Sequence, residues 1–353
     1  MSNGTELRYA FKIASAWNTA VACGAGNGFL ALDLALKADA SSVKDDSRGQ
    51  LFAVDATAGE VKCDGSVPAY LRYNDRMLLS MIAIVMGTSA APSTHAGGSV
   101  SYDHIMKVAL KNDGLFGTLC GMPGTLGVES IPSWKPNKVT FKWDTGKPCQ
   151  VTIEGPGVDV VLNGTNTTTT FNSVTVLERA NRAYCAQTEL RINDQSAGAL
   201  SSGDKLGFAS LELSFERKQS GVYGSVISSD TTPRDLIDEP TGDGLFEASL
   251  KIDQGRTTAL TPRTDMKNNV SKKAEIICTG PIIEGSIPYL FRFQMPHLKP
   301  KSYENPYAPG IIKNSRSFEV LGAEAAPTGM TGNTDPLWIH VTNKLSTSLL
   351  AVT

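Results

Sequence analysis

The segment PAYLRYNDRMLLSMIAIVMG, residues 68–87, decides how the rest of the chain is read. Asn74 or Asp75 places a side-chain oxygen where a helix begins, and Gly87 supplies the left-handed residue that ends one. Between them, Met77 to Met86 is apolar at every position except Ser80. A helix over about 75–87 therefore presents no face to water and must be enclosed on all sides. At about 1.5 Å per residue it is too short to cross a bilayer. Two readings of its surface remain open. Either the helix serves only its own core, or Met81, Ile82 and Val85 also reach a neighbouring subunit.

Nearly everything downstream reads as strand. KVTFKW (138–143) and CQVTI (149–153), joined by Asp144-Thr145-Gly146, form a hairpin. KLGFASLELSFE (205–216) alternates almost throughout, and KAEIICT (273–279) and YLFRFQM (289–295) form a further strand pair. SYDHIMKVALK (101–111) alternates, and Tyr184–Ile192, Leu245–Ile252, Ser317–Gly322 and Leu337–Thr342 add further strands. Upstream, FLALDLAL (29–36) reads as a strand, Lys37–Gly49 as a loop and Leu51–Val54 as a second strand. Asn163-Gly164 is a two-residue hairpin signal, and the β-branched run Thr165–Thr170 suits an exposed edge or arm. No Lys or Pro guards that edge, so Thr165, Thr167 and Thr169 are candidate contacts to another chain. Leu260–Lys273 has room for a short helix. Pro296–Pro309, including YENPY (303–307), reads as a rigid crossing. The expected class is mainly β (α+β): an antiparallel sandwich or barrel with one packing helix.

The totals exclude several functions. A chain of 353 residues can bury a large core, and a net charge of −2 offers no basic footprint for nucleic acid. The six cysteines stand apart, with no CxxC and no histidine at zinc spacing, as buried thiols do in a reducing compartment. The four histidines are dispersed. GAGNG (24–28) lacks the βαβ setting of a dinucleotide loop, and no GxSxG, HExxH or GxxxxGK[ST] occurs. Asp45/Asp46 and Asp238/Glu239 fall in loops, as solvated carboxylates do. No catalytic, cofactor or metal site is expected, and the protein is not expected to be an enzyme. Ala14–Gly28 is too polar and glycine-rich for a signal peptide, which leads to the expectation of a soluble protein made and assembled in the cytoplasm.

Several stretches together resemble the major tail (tail tube) proteins of long-tailed bacteriophages. They are KIASAWNTAVACGAGNGFLAL, VPAYLRYNDRMLLSMIAIVMGT, SYDHIMKVALKNDGLFGTL, KKAEIICTGPIIEGSIPYLFRFQMPHL and the C-terminal SFEVLGAEAAPTGMTGNTDPLWIHVTNKLSTSLL. The resemblance implies a tail-tube-type β fold in the virion. Its subunits form hexameric rings, or trimeric pseudo-hexameric ones, stacked into a hollow tube through which DNA is ejected. The implied partners are further copies of the chain, a tape-measure protein in the lumen, and tail terminator and tail-tip proteins. DNA passes transiently, no membrane is involved, and no cofactor is implied. The length exceeds one such fold, so the resemblance leaves a duplication or a decoration open. The halves are drawn at 1–180 and 181–353, with the boundary near 178–182. A carbohydrate-binding or adhesive β-sandwich of a phage tail is the competing reading. The dispersed Trp17, Trp134, Trp143 and Trp338 weigh against an aromatic sugar platform.

Overall fold

The computed structural model describes residues 7–44, 56–124, 127–223, 236–255, 261–304, 313–330 and 332–352. The expected strand at Leu51–Val54 lies outside them. The first strands are β1 (Arg8–Ala14), β2 (Gly28–Phe29), β3 (Ala35–Lys44) and β4 (Ala56–Tyr70), followed by the helix α1 (Arg76–Met86). Then come β5 (Ser93–Thr94), β6 (Tyr102–Lys107), β7 (Phe116–Met122), β8 (Glu129–Trp134), β9 (Lys138–Asp144), β10 (Gln150–Gly157) and β11 (Val161–Leu162). A short helix α2 (Thr168–Phe171) precedes β12 (Thr188–Asp194), β13 (Ser210–Ser220) and β14 (Thr241–Gly255). A second short helix, α3 (Thr261–Lys267), leads into β15 (Lys272–Glu284), β16 (Ile287–Glu304), β17 (Lys313–Leu321) and β18 (Trp338–Asn343).

The fold is mainly β, as expected, and its strands form one continuous antiparallel sheet. The longest run of ladders is β3–β4–β10–β9–β13–β14–β17–β16–β15–β12. β15 lines one edge of β16, while β18 and then β17 share the other; β18 continues the sheet into β6 and β5. Gly157 opposite Trp134 joins β10 to β8, which carries β7, β1 and β2 on one side and β11 on the other.

α1 sits inside this sheet, and every residue from Met77 to Met86 is buried. Ile82 and Val85, expected to be enclosed, are 1% and 0% exposed. With all sides dry, the helix depends on protein groups to satisfy its ends. At the start, Asp75 Oδ1 accepts the amide of Leu78 at 3.1 Å. At the end, Gly87 turns left-handed (φ 85°) and donates its N–H to Ala83 O. The other three terminal carbonyls are also met. Asn112 Nδ2 donates to Ile84 O at 3.3 Å, and the Arg217 guanidinium donates to Val85 O and Met86 O, each at 3.2 Å. Arg217 further binds Ala109 O and Leu110 O and so ties β13 to the turn after β6. It is buried without a carboxylate partner among the described residues; the negative end of the helix supplies the compensating field. The one polar residue of the helix body, Ser80, donates its hydroxyl to Leu349 O at 2.6 Å.

Several expectations are corrected. Residues 29–36 do not form one strand: β2 ends at Phe29, and Lys37–Lys44, expected as loop, belongs to β3. The polar and small residues KADASS (37–42) carry no alternation, and all six are exposed. Asn163-Gly164 does not turn a hairpin. Asn163 takes φ 51°, accepts the Val128 amide through Oδ1, and leads into α2 rather than a return strand. The run Thr165–Thr170 is therefore no extended arm. The crossing expected over Pro296–Pro309 is strand through Glu304. Pro296 and Pro300 sit where the ladders shift register, between Lys272 and Ala274 on one edge and between Pro300 and Ser302 on the other. The boundary near 178–182 does not divide the core. β9 pairs with β13 and β6 with β18 across it, and one hydrophobic cluster extends from Phe11 to Leu349.

Two predictions follow from the helix ends. Arg217→Met takes the side-chain donor from Val85 O and Ala109 O, while Met86 O keeps the Ala109 amide, and is expected to destabilise the chain by about 2–5 kcal/mol, against about 1–2 for Asn112→Ala, as read by urea unfolding. Burial raises the Asp75 carboxyl to about 6 despite the Leu78 amide, and its Oδ2 has no partner among the described residues. A carboxyl raised on folding contributes most below its unfolded value near 4 and loses that contribution as pH climbs to 6. The stability difference between wild type and Asp75→Asn, which keeps a capping oxygen, is expected to fall by about 2 kcal/mol between pH 4 and pH 7. Urea titrations across that range check it.

Candidate assembly interface

β4 is fifteen residues long, but only its second half joins the body of the sheet. Cys63 to Tyr70 pairs with β10, in the register Cys63↔Gly157 to Tyr70↔Gln150. Before Cys63 its only ladder partner among the described residues is β3, in a register running from Lys62↔Asp39 to Ala56↔Lys44 with a bulge between Ala40 and Ser42. The two strands leave the sheet as a ribbon. On β3, Lys37 to Ser42 are all exposed, so neither face rests on core. The ion pairs Lys37–Asp39 and Lys62–Glu60 join neighbours on one face of the ribbon, and both are open to solvent. Exposed pairs of this kind add little. A two-stranded ribbon is marginal alone in water, and the outer edge of β3 has no further ladder partner among the described residues.

The three helix residues considered as subunit contacts have no area to offer. Met81, Ile82 and Val85 are enclosed by their own chain, which leaves the helix the role of core alone. Thr165 and Thr169 are exposed, and Thr167 caps α2 by accepting the Thr170 amide through its hydroxyl. Their segment is pinned from below. Asn166 accepts the Cys23 amide at 2.8 Å and donates to Val21 O at 3.0 Å, and Phe171 is fully buried. Thr165 and Thr169 thus form a fixed surface bump, distant in sequence from the ribbon. Two further apolar residues, Leu110 and Leu245, are 95% and 84% exposed. Both lie beside Arg217: Leu110 O accepts from it, and Leu245 precedes Phe246, its partner across the β13–β14 ladder.

Other polar groups serve the fold. Asp103 accepts His95 Nδ1 at 2.9 Å and the Thr342 hydroxyl at 2.7 Å, with His340 Nε2 at 3.0 Å. Burial opposes its charge, but these donors win and hold its carboxyl below the usual range. Glu284 is gripped by the Ser101 hydroxyl, the Val100 amide, and the amide and hydroxyl of Ser99, which bring its carboxyl down to about 2. This ties the β15–β16 tip to the loop before β6. Buried Lys135 meets Glu239 and Pro240 O, and buried Lys273 meets Ala197 O and Thr328 O. None of these partners lies within fifty residues of its lysine, so local pattern gave no signal for them. Among the described residues, no three His, Cys, Asp or Glu side chains group where they could hold a metal ion.

No protein-family model matches the chain, and no curated protein matches it. Among solved structures it is similar to a chain of the cryo-EM structure of the anti-feeding prophage (AFP) baseplate, 6-fold symmetrised. The likeness covers 37% of this chain and 87% of that one, at 13% identity and a TM-score of 0.26. It is too slight to add to the fold read from the ladders.

Because the ribbon lies outside the core, breaking it is expected to spare the monomer. The double substitution Ala38→Pro and Ala40→Pro should change the unfolding free energy by less than about 1 kcal/mol. Urea unfolding followed by the fluorescence of buried Trp134 and Trp143 checks this.

Proposed function

We propose that the chain is a structural protein of a phage-type tail. It self-associates into rings, hexameric or trimeric and pseudo-hexameric, that stack into a hollow tube for DNA ejection. The observation that carries this reading is the β3–β4 ribbon, whose outer strand is exposed from Lys37 to Ser42 and has no second ladder partner among the described residues, and which a second copy of the chain completes. The residue patterns that resemble tail tube proteins, spread over most of the sequence, point the same way. The tape-measure protein in the lumen and the terminator and tip proteins at the ends are the further partners this reading carries, and the virion is its location.

The charge suits the role. A wall that neutralised phosphates would release counterions and hold the duplex, whereas a chain of net charge −2 has no such excess to offer. The adhesive alternative gains no observation: Trp134 and Trp143 are fully buried, so neither stacks on a sugar.

The test is negative-stain microscopy with sedimentation velocity on the purified chain. Rings or tubes are expected to accumulate as concentration rises from about 1 to about 100 µM, the range in which a weak repeated contact becomes populated. The Ala38→Pro, Ala40→Pro variant should remain folded and single over the same range. A wild-type chain that stays monomeric at the top of the range overturns the reading.

A further inference from the structure

At the end of the sheet opposite β4, the ladder of β14 with β17 runs past the core and borders a cavity of about 560 Å³. That volume lies in the range of small-molecule sites. β14, β16 and β17 wall it on one side, and α3 and the end of β12 on the other. Register fixes what points in. Leu250 pairs with Phe318, Ile252 with Arg316 and Gln254 with Asn314, so the three pairs share the inner face. The first pair and Ile252 are core, and the rest of the row turns polar as the core ends.

The polar groups of this row are unsatisfied. Arg316 Nε, Gln254 Oε1 and Asn314 Nδ2 are buried, and none has a hydrogen-bond partner among the described residues. Gln254 is anchored at its other atom, donating Nε2 to Gly207 O at 2.8 Å, which aims the free oxygen rather than leaving it to rotate. The nearby charges do not answer Arg316. Asp265 is held by Lys272 at 2.7 Å, and Lys272 also engages Asp194. The cavity therefore offers a guanidinium with no ion pair among the described residues, together with one fixed acceptor. Its apolar wall comes from Leu206, Met266 and Phe318. Two of these three atoms, on Arg316 and Gln254, belong to residues that line a single cavity.

We propose that this cavity binds an amphiphilic carboxylic acid. The carboxylate lies on Arg316, the acyl chain on Leu206, Met266 and Phe318, and a hydroxyl near the carboxylate donates to Gln254 Oε1. A guanidinium matches a carboxylate in shape and charge, and the apolar wall favours a ligand with a hydrocarbon body over a bare anion. The inference stands apart from self-assembly, since the cavity lies on other elements than the β3–β4 ribbon.

Isothermal titration of the purified chain with octanoate, 3-hydroxyoctanoate and octan-1-ol tests it. One saturable site per chain is expected for both acids, with the hydroxy acid about three- to tenfold tighter through its added hydrogen bond. Octanol should bind at least about tenfold more weakly than octanoate, for want of the charge. Arg316→Leu should weaken both acids by about tenfold or more, while Gln254→Leu should abolish only the difference between them. Should Arg316→Leu fail to fold, Arg316→Gln carries the same expectation. The proposal is overturned if neither acid saturates below about 10 mM. It is also overturned if octanol matches octanoate, or if a folded Arg316 variant binds as wild type does.

Discussion

A helix with no wet face cannot leave its ends to water, and much of this structure follows from that constraint. The last four carbonyls of α1 require donors inside the protein. They receive them from Gly87, from Asn112 on the turn before β7, and from Arg217 on β13. Ser80 draws in Leu349 near the end of the described chain. The helix thus binds segments from both halves of the sequence into one unit. That is why the chain has one core where its length suggested two: β13 must lie against β9 for Arg217 to reach the helix, and β9 belongs to the first half.

What was legible in the sequence was what local chemistry determines. The capping residue, the stop glycine and the unbroken apolar run fix α1 to within a residue. The alternating pairs 138–143 with 149–153 and 273–279 with 289–295 hydrogen-bond as their patterns imply. What was not legible depends on partners far along the chain. β3 is invisible to an alternation test because Lys37 to Ser42 are all exposed. Pro296 and Pro300 read as breakers, yet a register shift in the ladder removes the demand for the missing N–H. The arginine that completes the helix lies 132 residues from the carbonyl it meets, and no periodicity reports such a pairing. The candidate interface divides the same way. The exposed threonines were visible as a β-branched run, whereas the α2 turn that holds them depends on Asn166 reaching back to Cys23 and Val21.

The distribution of satisfied and unsatisfied groups separates folding from association. At the C-terminal end of α1 every carbonyl has a donor, and the buried charges Lys135, Lys273 and Arg217 each have their acceptors within the chain. Away from the core, the outer edge of β3 has no further ladder among the described residues, Leu110 and Leu245 are exposed, and the row that ends in Arg316 and Gln254 holds unpartnered atoms. A subunit built this way is complete at its centre before it meets a partner. Contacts added at the ribbon then extend a finished sheet and do not rescue an unfinished core. Obligate oligomers invert this order, because their subunits often have no stable fold alone. Here Met81, Ile82 and Val85 are already covered by their own chain, so the assembly proposed above draws nothing from the helix.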